Sequence, residues 1–298
     1  MGSEQVHIDA STRARRLQRR RRFAYGAGPG LDAALDAARR LADDGLHSTI
    51  GFSPLPLMSP RAVADVHLRA FERLEAEAGD LDCYVSVKLA ALGFDPGLFA
   101  ELEAAAARSR RRLHVDALGP EAAEATWGLL EGRPRAGLVG TTLPGRWRRS
   151  PDDVARAARL DLAVRVVKGQ WADAAAAGGQ RPDAGFMRVV ERLRGHARCV
   201  GVATHDVRLL ARSLRHLTAA GTTCEVELFY GMPFRAPAAC ARRAGVPVRV
   251  YVPYGDTGAP YGRAELVRNP AATWWLMQDL LWGQNKTWRA IRRSRPRR

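Results

Sequence analysis

Residues 199–229 contain two short strand-like runs separated by a helix-like segment. The first run is Cys199-Val200-Gly201-Val202-Ala203-Thr204, and the second is Cys224-Glu225-Val226-Glu227-Leu228-Phe229. Between them, the segment from Val207 to Ala219 has leucines at helical spacing. A strand, a helix and a second strand in this order predict two parallel strands joined by a right-handed crossover.

The same alternation extends to both sides of this unit. The other strand-like runs are residues 47–52, 83–88, 113–116, 137–142, 163–168 and 248–252. Helix-like segments occupy residues 31–44, 60–78, 96–108, 120–130, 150–159 and 237–244. Eight parallel strands within about 250 residues are typical of a closed β/α barrel, so we predict an α/β fold of the TIM-like (β/α)8 type.

An open doubly wound sheet is the competing fold. Such a sheet normally carries a glycine-rich phosphate-binding turn after its first strand. Here the first strand continues into Gly51-Phe52-Ser53-Pro54-Leu55-Pro56, which is not a turn of that kind. The sequence therefore favours the barrel.

The formal net charge of +16 is concentrated in part in two terminal runs, residues 13–22 and 289–298. We predict a basic, flexible arm over residues 1–30, a barrel domain over 31–288 and a basic tail over 289–298. No zinc-finger or other nucleic-acid-binding motif accompanies the charge, which favours solvated tails. A non-catalytic protein whose tails bind nucleic acid is retained as an alternative.

Cysteine spacing and hydropathy define the expected compartment. The four cysteines lie far apart without a CxxC pair, as expected for small buried side chains in a reducing cytosol. The seven histidines show no metal-ligand spacing, so we predict no metal site. The sequence has neither a signal peptide nor a run of about 20 apolar residues, which predicts a cytoplasmic protein without a membrane span.

Polar residues at the carboxyl ends of the strands are the candidates for chemistry, because barrel enzymes place their active sites there. Arg165 and Lys168 are three residues apart, which places them on opposite faces of a regular strand. The turn at Gly169 would aim both cations at one phosphate, carboxylate or reduced flavin. The alternative is that Arg165 pairs with Asp116 or Glu227 and only fills the barrel.

Four motifs in order resemble those of the proline dehydrogenase family. They are residues 164–169, 203–205, 225–232 and 249–255, supported by residues 86–89 and 115–116. The resemblance covers roughly residues 45–270. It implies a distorted β/α barrel that binds FAD noncovalently and passes a hydride from a carbon next to nitrogen to the flavin N5.

The resemblance also implies roles for single residues. Arg165 and Lys168 would contact the flavin, while Gly169, Thr204 and His205 would bind its ribityl and phosphate portions. From the residues alone, His205 fits a ligand contact and a structural role equally well. Thr141 stands where the family has a glutamine in the fourth strand and is assigned to the cofactor. The substrate side would be lined by Lys88, Asp116, Tyr251 and Tyr261, the last at the start of a helix that caps the pocket.

The capping helix departs from the family pattern. Two adjacent arginines that bind the carboxylate of proline are replaced by Ala264-Glu265, and the family glutamate is replaced by Arg268. Each lost charged hydrogen bond costs about 1.5–3 kcal/mol, and Glu265 would repel a carboxylate. We therefore expect a pocket, including Trp171 and Phe229, that does not take ordinary proline.

The predicted function is flavin-dependent oxidation of a small nitrogen compound in specialised metabolism. Its substrate would be a modified amino acid, a carrier-tethered amine or a molecule with an N–N bond, and a quinone, oxygen or another acceptor would reoxidise the flavin. One alternative is a genuine proline dehydrogenase in which Arg263 or Arg268 binds the carboxylate. Another is a flavin-free barrel in which Lys88 or Lys168 forms a Schiff base.

Overall fold

The computed structural model describes residues 26–77, 81–132, 138–170, 173, 182–232 and 234–256. Its strands are β1 (His47–Ser53), β2 (Cys83–Val87), β3 (Leu113–Val115), β4 (Val139–Pro144), β5 (Ala163–Val167), β6 (Val200–Ala203), β7 (Cys224–Phe229) and β8 (Val248–Gly255). Its α-helices are α1 (Leu31–Asp43), α2 (Pro60–Ala76), α3 (Pro96–Ser109), α4 (Ala123–Glu131), α5 (Ser150–Arg159), α6 (Pro182–Leu193), α7 (Val207–Thr218) and α8 (Arg235–Arg243). Two 3₁₀ turns, Leu89–Leu92 and Pro120–Ala122, follow β2 and precede α4.

The strands form a closed parallel barrel in sequence order. Closure occurs between β1 and β8, where His47 lies opposite Arg249 and Ser53 lies opposite Gly255. The predicted (β/α)8 barrel is therefore confirmed. The sequence analysis did not single out α6, although its six buried residues follow helical spacing.

Two strands differ from their predicted bounds by more than one residue at an end. The described part of β4 begins at Val139 and ends at Pro144, two residues later than expected. β8 continues to Gly255 instead of ending at Val252, because its last three residues still pair with β1, and the segment before α1 adds two hydrogen bonds. The N–H of Ala27 donates to the carbonyl of Pro253 at 2.9 Å, and the N–H of Gly255 donates to the carbonyl of Gly28 at 3.0 Å.

These two hydrogen bonds also correct the boundary of the predicted flexible arm. Residues 26–30 are described, and Gly26 and Gly28 are buried against the barrel. The last part of the predicted 1–30 arm thus belongs to the folded domain, whereas residues 1–25 lie outside the described residues, as do the predicted tail at 289–298 and everything after 256.

Helix α1 covers the outer face of β1 and β8. Its buried side, which includes Leu35 and Leu41, packs into the main apolar core. In a (β/α)8 barrel, a helix that follows the eighth strand usually lies at this junction. Here α1, which precedes the first strand, lies there. The outer face of this junction is thus covered by residues that come before β1.

Strand residues alternate between two environments, as the two-residue period of a strand requires. Outward residues such as Val164, Val202 and Val226 are fully buried against the helices and form the core. Inward residues are largely polar, and the next subsection describes them. Among the described residues, no helix is both long and apolar enough to cross a membrane. The four cysteines are free thiols.

Candidate active site

Arg165 of β5 is the centre of a polar cluster in the barrel interior. The cluster lies in the half nearer the carboxyl ends of the strands, which we call the upper half. Only 5% of its side chain is exposed. Its Nη1 donates to Oδ1 of Asp116 at 2.6 Å, and its Nε donates to Oε2 of Glu227 at 2.7 Å. Burial opposes the charge, but Glu227, Tyr84 and Asp116 together raise the pKa of Arg165 well above its usual value. This guanidinium is a fixed cation.

Asp116, directly after β3, collects hydrogen bonds from three strands. Besides Arg165, Ser86 of β2 donates its Oγ–H to Oδ1 at 2.6 Å, and the hydroxyl of Tyr251 in β8 donates to Oδ2 at 2.8 Å. The Nζ of Lys88 lies 3.9 Å from Oδ2. The predicted group Lys88, Asp116 and Tyr251 is thus brought together, with Asp116 as the shared acceptor.

Tyr251 is held on both sides of its ring. Phe229 stacks against it with centroids 5.6 Å apart, and the guanidinium carbon of Arg165 lies 5.2 Å from its centroid. Its hydroxyl crosses Gly51 of β1, where an added Cβ would come within 2.1 Å of the oxygen. Burial and the nearby Asp116 raise the pKa of Tyr251 well above its usual value, so this hydroxyl remains a donor at neutral pH.

Lys88 directly follows β2 at the mouth of the barrel and is about one quarter exposed. Its Nζ donates to the carbonyl of Phe52 at 3.1 Å. Burial lowers the pKa of Lys88, and the positive charge of Arg165 lowers it further, while Asp116 acts in the opposite direction. The side chain is an amine that loses its proton more easily than a solvated lysine.

Lys168 has a different set of partners from Arg165. Its Nζ lies 2.8 Å from Asp183 at the start of α6 and 3.3 Å from Asp206 at the start of α7. In this structure the two cations of β5 therefore pair with separate carboxylates and do not converge on one group. The expectation that both aim at one ligand through the Lys168-Gly169 turn is not met by these contacts, and the interior pairing of Arg165 with Asp116 and Glu227 is the one observed.

Asp206 and Thr204 organise the loop between β6 and α7. Asp206 caps α7 by accepting hydrogen bonds from the backbone N–H groups of Arg208 and Leu209. Partial burial works against its charge, but the N–H of Leu209 and the charge of Lys168 lower the pKa of Asp206. The Oγ1 of Thr204 accepts the N–H of Asp206 at 3.1 Å. Thr204 thus has a structural contact within the turn.

His205 is fixed by the neighbouring strand. Its Nε2 accepts the backbone N–H of Phe229 at 2.9 Å, which places a proton of the neutral ring on Nδ1. Gly169 has φ +94°, and a Cβ there would meet that of Pro144 at 2.9 Å, so both the turn and the space require glycine. His205 and Gly169 follow β6 and β5, at the same end of the barrel as Lys88.

Thr141 does not occupy the predicted cofactor position. In the β4–β5 register Thr142 pairs with Arg165, whereas Thr141 pairs with the outward Val164. Thr142 faces the interior, where its Oγ1 lies 3.0 Å from Nε2 of His114. Thr141 therefore points toward the helices, because neighbouring strand residues face opposite sides. Counting outward from Arg165 across the register would have selected Thr142.

Other predicted residues of the pocket cannot be placed. Trp171, Tyr261, Arg263, Ala264, Glu265 and Arg268 lie outside the described residues. Sequence reasoning missed Gly51, whose lack of a side chain leaves space for Tyr251. Within residues 26–256 as far as they are described, no group of three His, Cys, Asp or Glu side chains is arranged to hold a metal ion.

The chain is similar to two curated proline dehydrogenases along most of its length. No protein-family model matches the sequence. The chain is 25% identical to a proline dehydrogenase of Deinococcus radiodurans over 300 residues, which cover 94% of this chain and 96% of that protein. It is 22% identical to proline dehydrogenase 1 of Bacillus subtilis subsp. natto, covering 88% of this chain and 90% of the relative.

Solved structures show the same fold. Proline utilization A from Bdellovibrio bacteriovorus, inactivated by N-propargylglycine, superposes on 93% of this chain with a TM-score of 0.73 and 16% identity. Proline utilization A from Corynebacterium freiburgense also covers 93% of this chain, with a TM-score of 0.64 and 19% identity. This chain spans only 36% and 33% of those two proteins. The likeness extends to one barrel within longer chains.

Proposed function

We propose, because the relatives of this chain along nearly its whole length are proline dehydrogenases, that it is a flavin-dependent oxidoreductase of that type acting on a small nitrogen-containing substrate. The observation that supports the proposal best is the cluster around Arg165. It joins a fixed guanidinium, a tyrosine hydroxyl and a lysine of lowered pKa at the carboxyl ends of the strands, where barrel enzymes carry out their chemistry.

The side chains at this mouth fit a flavin by their chemistry. Three basic side chains lie here, those of Arg165, Lys88 and Lys168. Two polar side chains, those of Thr204 and His205, follow β6. Bound FAD would supply an acceptor for a hydride taken from a carbon next to nitrogen. For Arg165 and Lys168 both to contact the ring system, Lys168 would have to exchange its ion pairs with Asp183 and Asp206 for the flavin. Gly169, Thr204 and His205 would hold the remainder of the cofactor.

On the substrate side, the protein residues have distinct tasks. Asp116 holds Arg165 and the Tyr251 hydroxyl in fixed positions through hydrogen bonds of 2.6 and 2.8 Å. Phe229 and Tyr251 stack with their ring centroids 5.6 Å apart and would present an apolar surface to the substrate on this side of the cluster. Lys88, when neutral, would accept a proton from a substrate ammonium group, because the neutral amine is the form that can react.

The finer proposal concerns the substrate. Ala264 and Glu265 stand in place of two arginines, so we infer a substrate without a carboxylate at that position, with a cationic or neutral group facing Glu265. Support for this inference comes from the sequence and from general electrostatics. The competing proposal keeps proline as substrate and uses Arg263 or Arg268 to bind its carboxylate.

An anaerobic bleaching experiment tests both levels of the proposal. The purified protein, supplemented with FAD, should show the flavin absorbance band and lose it when a substrate reduces the ring. We expect bleaching by a member of a panel of cyclic amines, modified amino acids and hydrazines, and at least 100-fold slower bleaching by proline. No flavin binding would refute the flavoenzyme proposal, whereas rapid bleaching by proline would refute only the substrate proposal.

A matched pair of variants assigns the chemistry to the cluster. Arg165→Lys retains the charge but cannot reach Asp116 and Glu227 together with a fork, so we expect flavin affinity and bleaching rate both to fall. Arg188→Lys, on the exposed side of α6, is the control and should behave as wild type. Equal behaviour of the two variants would contradict a role for Arg165 at the flavin.

One observation favours a second candidate, the flavin-free Schiff-base enzyme. The lowered pKa of Lys88 is the property that such a nucleophile needs. Borohydride trapping with a panel of aldehydes and ketones, followed by peptide mass analysis, distinguishes the two. A covalent adduct on Lys88 in protein that binds no flavin would replace the flavoenzyme proposal with this one.

A further inference from the structure

The end of the barrel opposite the candidate active site contains a cavity. Its volume is about 470 Å³, which lies within the usual range for small-molecule sites. Asp82 immediately precedes β2, Arg112 immediately precedes β3, and Arg198 lies two residues before β6, so the cavity opens at the amino ends of the strands. We call it the lower cavity.

Arginine dominates the lining of the lower cavity. Its charged lining residues are Arg110, Arg111, Arg112, Arg198, Arg249 and Asp82. Three of the arginines, at positions 110–112, are consecutive in the sequence. They reach the cavity because α3 ends at Ser109 and Arg110 adopts a left-handed conformation with φ +54°, which turns the chain toward β3. Five guanidinium groups around one concave surface give a field that attracts anions.

The existing partners do not neutralise this charge. Arg249 is buried between Glu225 at 2.9 Å and Asp82 at 3.0 Å, and Arg112 reaches the same Glu225 at 3.5 Å. Arg111 hydrogen-bonds the carbonyl oxygens of Leu81 and Leu74, which carry no formal charge. The positive charge of Arg111 is thus held at the rim without a carboxylate among these hydrogen-bond partners.

The two most accessible arginines complete the site. Arg110 is exposed, and Arg198 is 45% exposed and pairs with Asp161 at 3.1 Å, a surface contact that water weakens. Guanidinium groups bind phosphate through two parallel hydrogen bonds, so several of them around a concave surface favour a ligand with more than one phosphate oxygen. A duplex nucleic acid is about 20 Å wide and would contact only the rim, and this size argument favours a small ligand.

We propose that the lower cavity binds a small phosphorylated anion, with Arg110, Arg112 and Arg198 as its direct ligands. Arg249 and Arg111 add positive charge without contacting the ligand and keep their present hydrogen bonds. The site is separate from the cluster around Arg165 and does not depend on the flavin proposal. It also gives a function to the basic run at residues 108–112, which is shorter than the two basic runs at the ends of the sequence.

Isothermal titration of the full chain with pyrophosphate tests this proposal. We expect one saturable site in the wild type and at least tenfold weaker binding in Arg110→Gln/Arg198→Gln, since two charged hydrogen-bonding groups are lost. The control is Arg188→Gln/Arg215→Gln, which removes the same charge from the exposed sides of α6 and α7. It should bind within twofold of the wild type. Thermal unfolding of each variant verifies that it is folded.

Each result supports or overturns the proposal. Equal losses in both double variants would show that pyrophosphate senses only the overall charge. Unchanged affinity in Arg110→Gln/Arg198→Gln would place the binding elsewhere, and its displacement by FAD would place it at the opposite mouth. Binding of a short DNA duplex that depends on Arg110 and Arg198, without saturable pyrophosphate binding, would replace the small ligand with nucleic acid.

Discussion

The interior of the barrel contains two arginine clusters that resemble each other but differ in how they are satisfied. The upper cluster consists of Arg165, Glu227, Asp116 and Tyr251, and the lower cluster consists of Arg249, Glu225, Asp82 and Tyr84. In each, an arginine pairs with a glutamate of β7 and lies against a tyrosine ring, at 5.2 Å in the upper cluster and 4.2 Å in the lower. The glutamates are two residues apart, so both face inward.

Their hydrogen-bond partners separate them. Arg165 relies on side chains, since it donates hydrogen bonds to Glu227, Asp116 and the Ser86 hydroxyl. Arg249 also donates to backbone carbonyls, those of Ser48 at 2.6 Å and of Asp82 at 3.4 Å. A cluster built from side chains can be adjusted for chemistry but is sensitive to any single substitution. A cluster anchored to the backbone tolerates the loss of one partner.

Neutralising each glutamate in turn should give the largest difference in unfolding free energy between the two clusters. Glu227→Gln removes a charge that contacts both Nε and Nη2 of Arg165 in a nearly water-free site, and we expect a loss of about 3 kcal/mol in unfolding free energy. Glu225→Gln should cost about half as much, because Arg249 keeps Asp82 and its carbonyl acceptors. Urea unfolding at neutral pH measures both.

A reversed order would break the comparison. If Glu225→Gln cost more than Glu227→Gln, backbone anchoring would not protect the lower cluster. A combined variant offers a second check, because the two glutamates are close in one strand. Their effects should add to within about 0.5 kcal/mol only if the clusters are independent.

The next effect is a dependence of stability on pH that involves both clusters. His114 is buried in the interior, stacked on Tyr84 with its Nε2 3.0 Å from Thr142. Burial lowers its pKa well below the usual value, and Arg165, Arg112 and Arg249 lower it further. Below about pH 6.5 the unfolded chain therefore binds a proton at His114 that the folded protein does not bind. Stability is complete above that pH and falls as the pH decreases, by up to about 1.4 kcal/mol per pH unit.

His114→Gln removes this group while keeping a polar side chain toward Thr142. Between pH 7 and pH 5 its unfolding free energy should decline less steeply than that of the wild type, whatever its absolute stability. His196→Gln, on the exposed surface, is the control and should follow the wild-type slope. His67, whose pKa burial lowers to about 4, contributes a similar slope in every one of these proteins and cancels from the comparison. Parallel slopes for wild type and His114→Gln would show that His114 is protonated in the folded state.

The sequence was sufficient for the architecture because the barrel depends on a repeated pattern. In runs such as residues 163–167 and 224–229, outward apolar residues alternate with inward residues that include the charged Arg165, Glu225 and Glu227, and the intervening segments are long enough for one helix each. The family motifs also selected Arg165, Asp116, Lys88 and Tyr251, which the structure places in contact. Their roles in binding and catalysis stay predictions.

What the sequence could not provide was orientation and pairing. Thr141 and Thr142 are chemically alike, and only the register with β5 shows which one faces the interior. Lys168 could have turned toward Arg165, but the carboxylates of Asp183 and Asp206 come from helices whose positions depend on the finished fold. The lower cavity likewise gathers arginines from three separate segments, so the local basic run at 108–112 gave no sign of it.

The smallest expected difference compares the tyrosines of the two clusters. Tyr251→Phe removes a 2.8 Å hydrogen bond to Asp116, which leaves Oδ2 with only the distant Nζ of Lys88, and should cost about 1.5 kcal/mol. Tyr84→Phe removes a contact of 3.5 Å to Glu227, at the limit of a hydrogen bond, and should cost less than about 0.5 kcal/mol. Both rings keep their packing, so the difference in unfolding free energy isolates the hydroxyl groups. Equal costs would mean that the 2.8 Å hydrogen bond to Asp116 stabilises the protein no more than the 3.5 Å contact to Glu227, and that Asp116 is held mainly by Arg165 and Ser86.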